Sequence, residues 1–243
     1  MVPDAVAAYR RDGYCRGGTL ATSSEMATVR ARVDECLASP VVAEHPDVHR
    51  HLDDRTIYEL CAHPAVVERV ASILGPDVLV WHSRVFHKRS GDPPIPWHQD
   101  GAYWNLEPLV SVSAWIAIER ADASNACVEV IPGSHRKPLT HVPAPGTGRF
   151  ARQAEPSQVD AQGAVRIELD PGEFFLFDPW LLHSSTANPS GRPRTALSVR
   201  YTTPAVTVDV EKLRPSVPGY GVQLVRGCDR DGRNPLARPP APG

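Results

Sequence analysis

Two metal-binding residue types stand one residue apart in Trp97-His98-Gln99-Asp100, directly after the proline-rich run Asp92-Pro93-Pro94-Ile95-Pro96. In an extended segment, residues i and i+2 face the same way. His98 and Asp100 then share a face, where an imidazole nitrogen and a carboxylate oxygen can converge on one ion, and Gln99 points away. Two imidazoles and one carboxylate on one face of an octahedron form the donor set of a non-haem ferrous site, leaving positions for a cosubstrate and O2. An isolated His-X-Asp is more commonly a solvated pair, so a third donor has to come from elsewhere in the chain.

The chain has 10 histidines. His45, His49, His51, His63 and His141 lie among polar neighbours in helical or loop segments and read as surface residues. His82 and His87 fall in the strand-like Trp81-His82-Ser83-Arg84-Val85-Phe86-His87-Lys88 and read as packing or supporting groups. His135 closes the tight turn Pro132-Gly133-Ser134-His135, where it caps the chain or meets substrate. His183 ends the strongly apolar stretch that begins at Glu173, at the lip of a buried surface, and is the predicted third ligand. Arg194 follows eleven residues later and opens the next strand. A dicarboxylate cosubstrate that chelates the metal at one end needs a bidentate cation at the other, and arginine supplies that fork. Ser185 shares the strand face of His183 and offers a hydroxyl to the same carboxylate. Arg192 reads as solvated in its turn. Arg200 has the parity of Arg194 but lies about 20 Å further along by strand rise, which excludes it from that carboxylate. The aromatics Tyr103, Trp104 and Trp180, together with Gln99 and His135, are the candidate substrate contacts.

Such groups need rigid elements to hold them. Over the first 75 residues the spacing predicts helices. Thr22-Ser23-Ser24 with Glu25 forms a capping cluster ahead of Met26, Val29, Val33 and Leu37, and Val66, Val70, Ile73 and Leu74 repeat the pattern up to Gly75. Beyond Gly75 the period becomes that of strands. Val110, Val112, Ala114, Ile116 and Ile118 alternate with Ser111, Ser113, Trp115 and Ala117, and later short strands follow with Pro/Gly/Asn turns and no helices between them. That pattern predicts an antiparallel sandwich or jelly roll behind a helical N-terminal layer. Residues 140–163 read as a long polar insertion of the kind used for lids or substrate loops, or left disordered. The proline-rich C-terminus reads as loops and a frayed tail. We expect a single domain over residues 1–243, with a helical layer to 75, a jelly-roll core over 76–210 and a tail over 211–243.

Composition bounds the function classes. The 243 residues carry a formal net charge of −2, so nothing electrostatic favours nucleic acid or an anionic membrane. No apolar run reaches the roughly 20 residues that span a bilayer. We expect no signal peptide and a cytoplasmic location. The 5 cysteines are scattered, with no Cys-X-X-Cys pair, and read as free thiols.

The His-X-Asp pair, the Pro-Gly-Ser-His turn and the histidine followed at eleven residues by arginine occur in one order. Together with the N-terminal Tyr9-Arg10-Arg11-Asp12-Gly13-Tyr14, they resemble the phytanoyl-CoA dioxygenase family of Fe(II)/2-oxoglutarate-dependent oxygenases, over most of the chain. The resemblance implies a mainly β, double-stranded β-helix (cupin-like jelly-roll) fold with N-terminal helices packed on one sheet. It implies Fe(II) on His98, Asp100 and His183, with 2-oxoglutarate as cosubstrate held by Arg194 and Ser185, and O2. Lys88 matches a cosubstrate-contacting lysine, with His87 in its place if the register slips by one; Trp115 and Asn125 match positions near the cosubstrate. Where relatives read Asn-Gly-Cys, this chain has Asn125-Ala126-Cys127. The implied activity is hydroxylation of a small molecule, such as an intermediate of natural-product biosynthesis, with release of succinate and CO2. Asp100 fills the position that halogenases leave open for halide. Desaturation, epimerisation and cyclisation stay open, as do a non-catalytic binding module and the choice between monomer and dimer.

Overall fold

A computed structural model of the chain describes residues 3–38, 46–145, 150–213 and 219–241. The helical spacing of the N-terminal part folds as α1 (Pro3–Asp12), α2 (Ser23–Ala38), α3 (Arg55–Cys61) and α4 (Pro64–Leu74), with a short α5 (Val210–Leu213) later. Three of these starts, those of α2, α3 and α4, have a local cause. Thr22 and Glu25 cap α2 reciprocally, with Thr22 N donating to Glu25 Oε2 at 2.7 Å and Glu25 N to Thr22 Oγ1 at 3.3 Å. The Asp54 side chain accepts from Ile57 N to open α3. His63 Nδ1 accepts from Ala65 N to open α4, which ends at Gly75 with a positive φ of 104°.

The strands, in chain order, are β1 (Tyr14–Thr19), β2 (Val78–Lys88), β3 (Ile95–His98), β4 (Leu106–Glu107), β5 (Val112–Ala117), β6 (Val128–Val130) and β7 (His141–Pro143). They continue as β8 (Arg152–Ala154), β9 (Val165–Ile167), β10 (Glu173–Phe177), β11 (His183–Ser185), β12 (Arg194–Thr202), β13 (Thr207–Val208) and β14 (Gln223–Arg226). A major sheet runs β1-β10-β5-β12-β2-β14 and a minor sheet β3-β11-β6-β9, antiparallel throughout. This is the predicted jelly roll with helices on one sheet.

The alternation in β5 has a different meaning from polar against apolar. Every residue of β5 is buried. Val112, Ala114 and Ile116 pack with Met26, Val33, Ile57, Val66 and Val70 of the helices. Trp115 and Ala117 pack with Val128, Val130, Ile167, Phe175 and Phe177 inside the roll. In β12, Leu197, Val199 and Tyr201 join the helical side and Ala196 the inner side. By parity, Arg194, Ser198 and Arg200 face inward with Ala196.

Three expectations are corrected. The N-terminal 75 residues are not all helical. Tyr14–Thr19 pairs with β10 at the sheet edge, and its glycines hid the pattern because a Cβ on Gly17 would come within 2.0 Å of the Phe174 ring. The C-terminal tail is not frayed over its described length. β14 extends the major sheet, Tyr220 and Val222 are buried, and Asn234 accepts from Val208 N at 2.8 Å and donates to Val206 O at 2.7 Å. His49, His51 and His141 are buried rather than on the surface; His45 lies outside the described residues.

Candidate metal centre

His98 closes β3 and His183 opens β11, and the two are cross-strand partners in the minor sheet. Gln99 keeps an extended backbone, so Asp100 returns to the face of His98 before the chain turns at Asp100–Ala102. The candidate ligand atoms of His98, Asp100 and His183 all lie within 4.8 Å of one another. Each imidazole is fixed from behind. His98 Nδ1 lies 2.8 Å from Pro96 O, and His183 Nδ1 lies 2.9 Å from Leu181 O. A carbonyl only accepts, so both Nδ1 atoms carry the proton and both Nε2 lone pairs face the triad. Burial pushes the His183 imidazole down to about 4, leaving it neutral at physiological pH. Burial opposes ionisation of Asp100 as well, but Arg200 and the two histidines outweigh it and hold the carboxyl well below the usual range. Two imidazoles and an ionised carboxylate, converging in a buried space, fit a divalent first-row metal.

Arg194 lies in the same cavity wall as the triad, with Trp115, Ser185, Ser198 and Arg200. Its guanidinium is 5.3 Å from the Trp115 ring centroid and donates to Ala126 O, while Nε is buried with no partner. No carboxylate pairs with it among the described residues. Lys88 is its cross-strand partner. Lys88 Nζ donates to Ser185 Oγ at 2.9 Å and to Thr186 O. Burial, then the charge of Arg194, push the Lys88 ammonium down to about 7. A cation with an orphaned donor, beside a lysine and a hydroxyl, fits an arriving carboxylate. His87 instead meets Thr195 Oγ1 at 2.8 Å, so Lys88 is the residue beside Ser185.

Other predicted contacts turn out to be supports. Gln99 is fully buried and saturated by backbone: it donates to Lys137 O at 3.0 Å and Trp180 O at 2.6 Å and accepts from Leu139 N at 2.8 Å. Trp180 packs on Gly101, where a Cβ would sit 3.0 Å from its ring, so it seats the turn that carries Asp100. His135 packs against Gly13 and is absent from the linings of the cavities around the triad. Asn125 accepts from Asp122 N at 2.8 Å and donates to Arg120 O at 2.8 Å; it shapes the turn whose carbonyl, on Ala126, receives Arg194. Tyr103 and Trp104 do line a cavity of about 400 Å³ that also contains Asp100.

The departure at Ala126 has a cost. Its φ of 66° is left-handed, a conformation costing roughly 1–2 kcal/mol for a residue with a Cβ. Ala126→Gly should therefore stabilise the protein by about 0.5–1 kcal/mol after glycine's larger unfolded-state entropy, raising Tm by about 1–4 °C. A calorimetric Tm equal to or below that of the parent would remove this account of the turn.

Arg200, Phe86 and Phe150 were not among the predicted site residues, whereas His82, predicted as a packing or supporting group, does support Arg200. Arg200 does lie far from Arg194's end of the strand, but that places it beside the triad: Nη2 is 3.4 Å from Asp100 Oδ2 and Nη1 2.9 Å from His82 Nδ1. Its inward parity was the available signal. Phe150 packs on His98, ring centroids 4.5 Å apart, from the long insertion, where no periodicity marks it.

The sequence profile described as phytanoyl-CoA dioxygenase matches residues 9–196. A probable phytanoyl-CoA dioxygenase of Caenorhabditis elegans is 28% identical over 160 residues, covering 61% of this chain and 51% of that protein. The chain thus spans about half the length of the phytanoyl-CoA dioxygenases it matches. The L-proline trans-4-hydroxylase of Streptomyces griseoviridis is 26% identical, covering 82% of this chain and 85% of that one. The apo structure of the non-haem monooxygenase ThoJ superposes with a TM-score of 0.82 at 25% identity, covering 98% of this chain and 88% of that one.

Proposed function

Given that the chain belongs to the phytanoyl-CoA dioxygenase family, we propose that it is a non-haem Fe(II)/2-oxoglutarate-dependent oxygenase that hydroxylates a small molecule. The observation that carries this reading is the pairing, in one cavity wall, of the His98–Asp100–His183 triad with Arg194, a buried cation lacking a carboxylate partner. Ferrous iron chelated by the 2-oxo acid, when bound, supplies the oxidising chemistry: O2 and the oxo acid are consumed, succinate and CO2 leave, and a substrate C–H bond is hydroxylated.

The chain's own residues do the rest. The backbone carbonyls of Pro96 and Leu181 hold the two imidazoles with Nε2 forward. Arg200 holds Asp100 by one oxygen and leaves the other to the metal. Arg194 forks the distal carboxylate of 2-oxoglutarate, and Trp115 beneath it keeps water away. Ser185 accepts from Lys88 and donates its own proton to that carboxylate. Substrate enters the cavity beside Asp100, against Tyr103, Trp104, Phe86 and Phe150.

Anaerobic addition of Fe(II) and 2-oxoglutarate should give a metal-to-ligand charge-transfer band, and O2 should then release succinate. No band, and no succinate across a broad panel of small molecules, would favour a non-catalytic binding module instead. Lys88 adds a pH test. Its folded-state pKa is depressed to about 7; unfolded it sits near 10.4. The unfolded chain therefore holds the extra proton between those values, and apo stability rises with pH across that window and is lost as pH falls through 7. An incoming carboxylate favours the charged lysine. At pH 8, 2-oxoglutarate should thus bind with proton uptake, visible as a buffer-dependent enthalpy and abolished by Lys88→Met. Buffer-independent enthalpies would place Lys88 outside the cosubstrate site.

A further inference from the structure

The cavity beside Asp100 contains a cation whose charge the metal centre leaves unanswered. Arg200 is 6% exposed. Its Nη2 faces Asp100 and its Nη1 donates to His82 Nδ1, which must accept and is therefore uncharged; burial holds His82 well below its ordinary range. Nε is buried and makes no hydrogen bond. The guanidinium lies 5.1 Å from the ring centroid of Trp104. The other cations around this cavity have partners. Arg84 pairs with Asp47 at 2.9 Å and Lys212 with Asp209 at 3.0 Å. Among the described residues, Asp100 is the one carboxylate in contact with Arg200.

Asp100 is committed elsewhere. On the reading above, a divalent ion is neutralised by Asp100 together with the proximal carboxylate of the oxo acid, and the distal carboxylate answers Arg194. Arg200 then remains a net positive charge out of water, which is costly unless an anion meets it. Resting on that reading, we propose that the substrate carries a carboxylate that docks on Arg200, with its body against Trp81, Trp104 and Tyr103 in the cavity of about 400 Å³. Arg200 supplies one net positive charge, which a carboxylate monoanion matches and a phosphate monoester, about −2 at neutral pH, exceeds.

Benzoate and its neutral isostere benzamide are the probes, added to anaerobic protein holding Fe(II) and saturating 2-oxoglutarate. Benzoate should give a saturable rise in Tm and perturb the charge-transfer band, with an affinity about tenfold or more above that of benzamide. Phenyl phosphate should bind more weakly than benzoate. In Arg200→Gln the preference for benzoate over benzamide, read as the shift in Tm, should fall about tenfold or more. Equal binding of benzamide, displacement of 2-oxoglutarate by benzoate, stronger binding of phenyl phosphate, or no saturable benzoate response would each overturn the proposal. The contrast between benzoate and benzamide in the unaltered protein stands even where Arg200→Gln fails to fold. Absence of the band with 2-oxoglutarate alone is a different result: it rejects the oxygenase reading rather than the carboxylate.

Discussion

Arg194→Gln should weaken 2-oxoglutarate binding about 100-fold while leaving the metal centre intact. The truncated group is a buried cation, 1% exposed, and removing one partner of a buried, hydrogen-bonded charge pair costs about 2–5 kcal/mol, where every 1.4 kcal/mol is about tenfold. The candidate metal ligands owe nothing to Arg194. His98 and His183 are held by carbonyls and Asp100 by Arg200. In an anaerobic titration the charge-transfer band should therefore reach its full amplitude at a much higher 2-oxoglutarate concentration. The apo-protein should report the opposite sign. Without cosubstrate, Arg194 is a desolvated cation with an orphaned Nε, so the variant should be as stable as the parent or more so, as sites built for a ligand commonly are. A normal titration in Arg194→Gln, with the loss transferred to Arg200→Gln, would show that the distal carboxylate sits at the other end of β12.

Within the candidate triad, the convergence of His98 and Asp100 was legible because it depends on parity alone. An extended Gln99 puts His98 and Asp100 on one side; His183 was expected to end the apolar strand, but that strand, β10, stops at Phe177, and His183 instead opens β11 as the cross-strand partner of His98. Arg194 was legible because it opens the next strand in chain order, although that strand, β12, belongs to the major sheet and pairs with β2 and β5. What failed depends on neighbours distant in the chain. Gln99, Asn125 and His135 look available as single polar side chains, yet Gln99 and Asn125 are consumed by backbone groups such as Lys137 O and Arg120 O, and His135 packs against Gly13. No local pattern indicates where those groups will lie. Arg200 failed for another reason. Strand rise rightly separated it from Arg194, but the partner at its own end, Asp100, comes from the minor sheet and is reached only once the roll closes. β1 and β14 were missed for want of a pattern: one contains glycines that admit Phe174, and the other follows masking prolines, though both pair along the edges of the major sheet.

Arg200 gives Asp100 two roles that a mutant cycle can separate. Asp100→Asn is nearly isosteric, and it removes both a metal ligand charge and the counterion of Arg200. Breaking a buried pair from one side costs about 3–5 kcal/mol, so the apo-protein should lose on the order of 10 °C in Tm at the usual conversion for a chain of this size. Iron binding should be lost with it. Asp100→Asn combined with Arg200→Gln removes both charges and should recover most of the apo stability, a coupling of a few kcal/mol in the cycle, without recovering iron. The pH dependence follows the same logic. The depressed pKa of Asp100 means that its stabilising contribution is present above the ordinary carboxylate range and is lost as pH falls toward the folded value. The double variant should accordingly show a shallower acid loss of stability than the parent. If Asp100→Asn alone leaves apo stability unchanged, the 3.4 Å contact carries no energy, and Arg200 must be held by His82 and Trp104 alone.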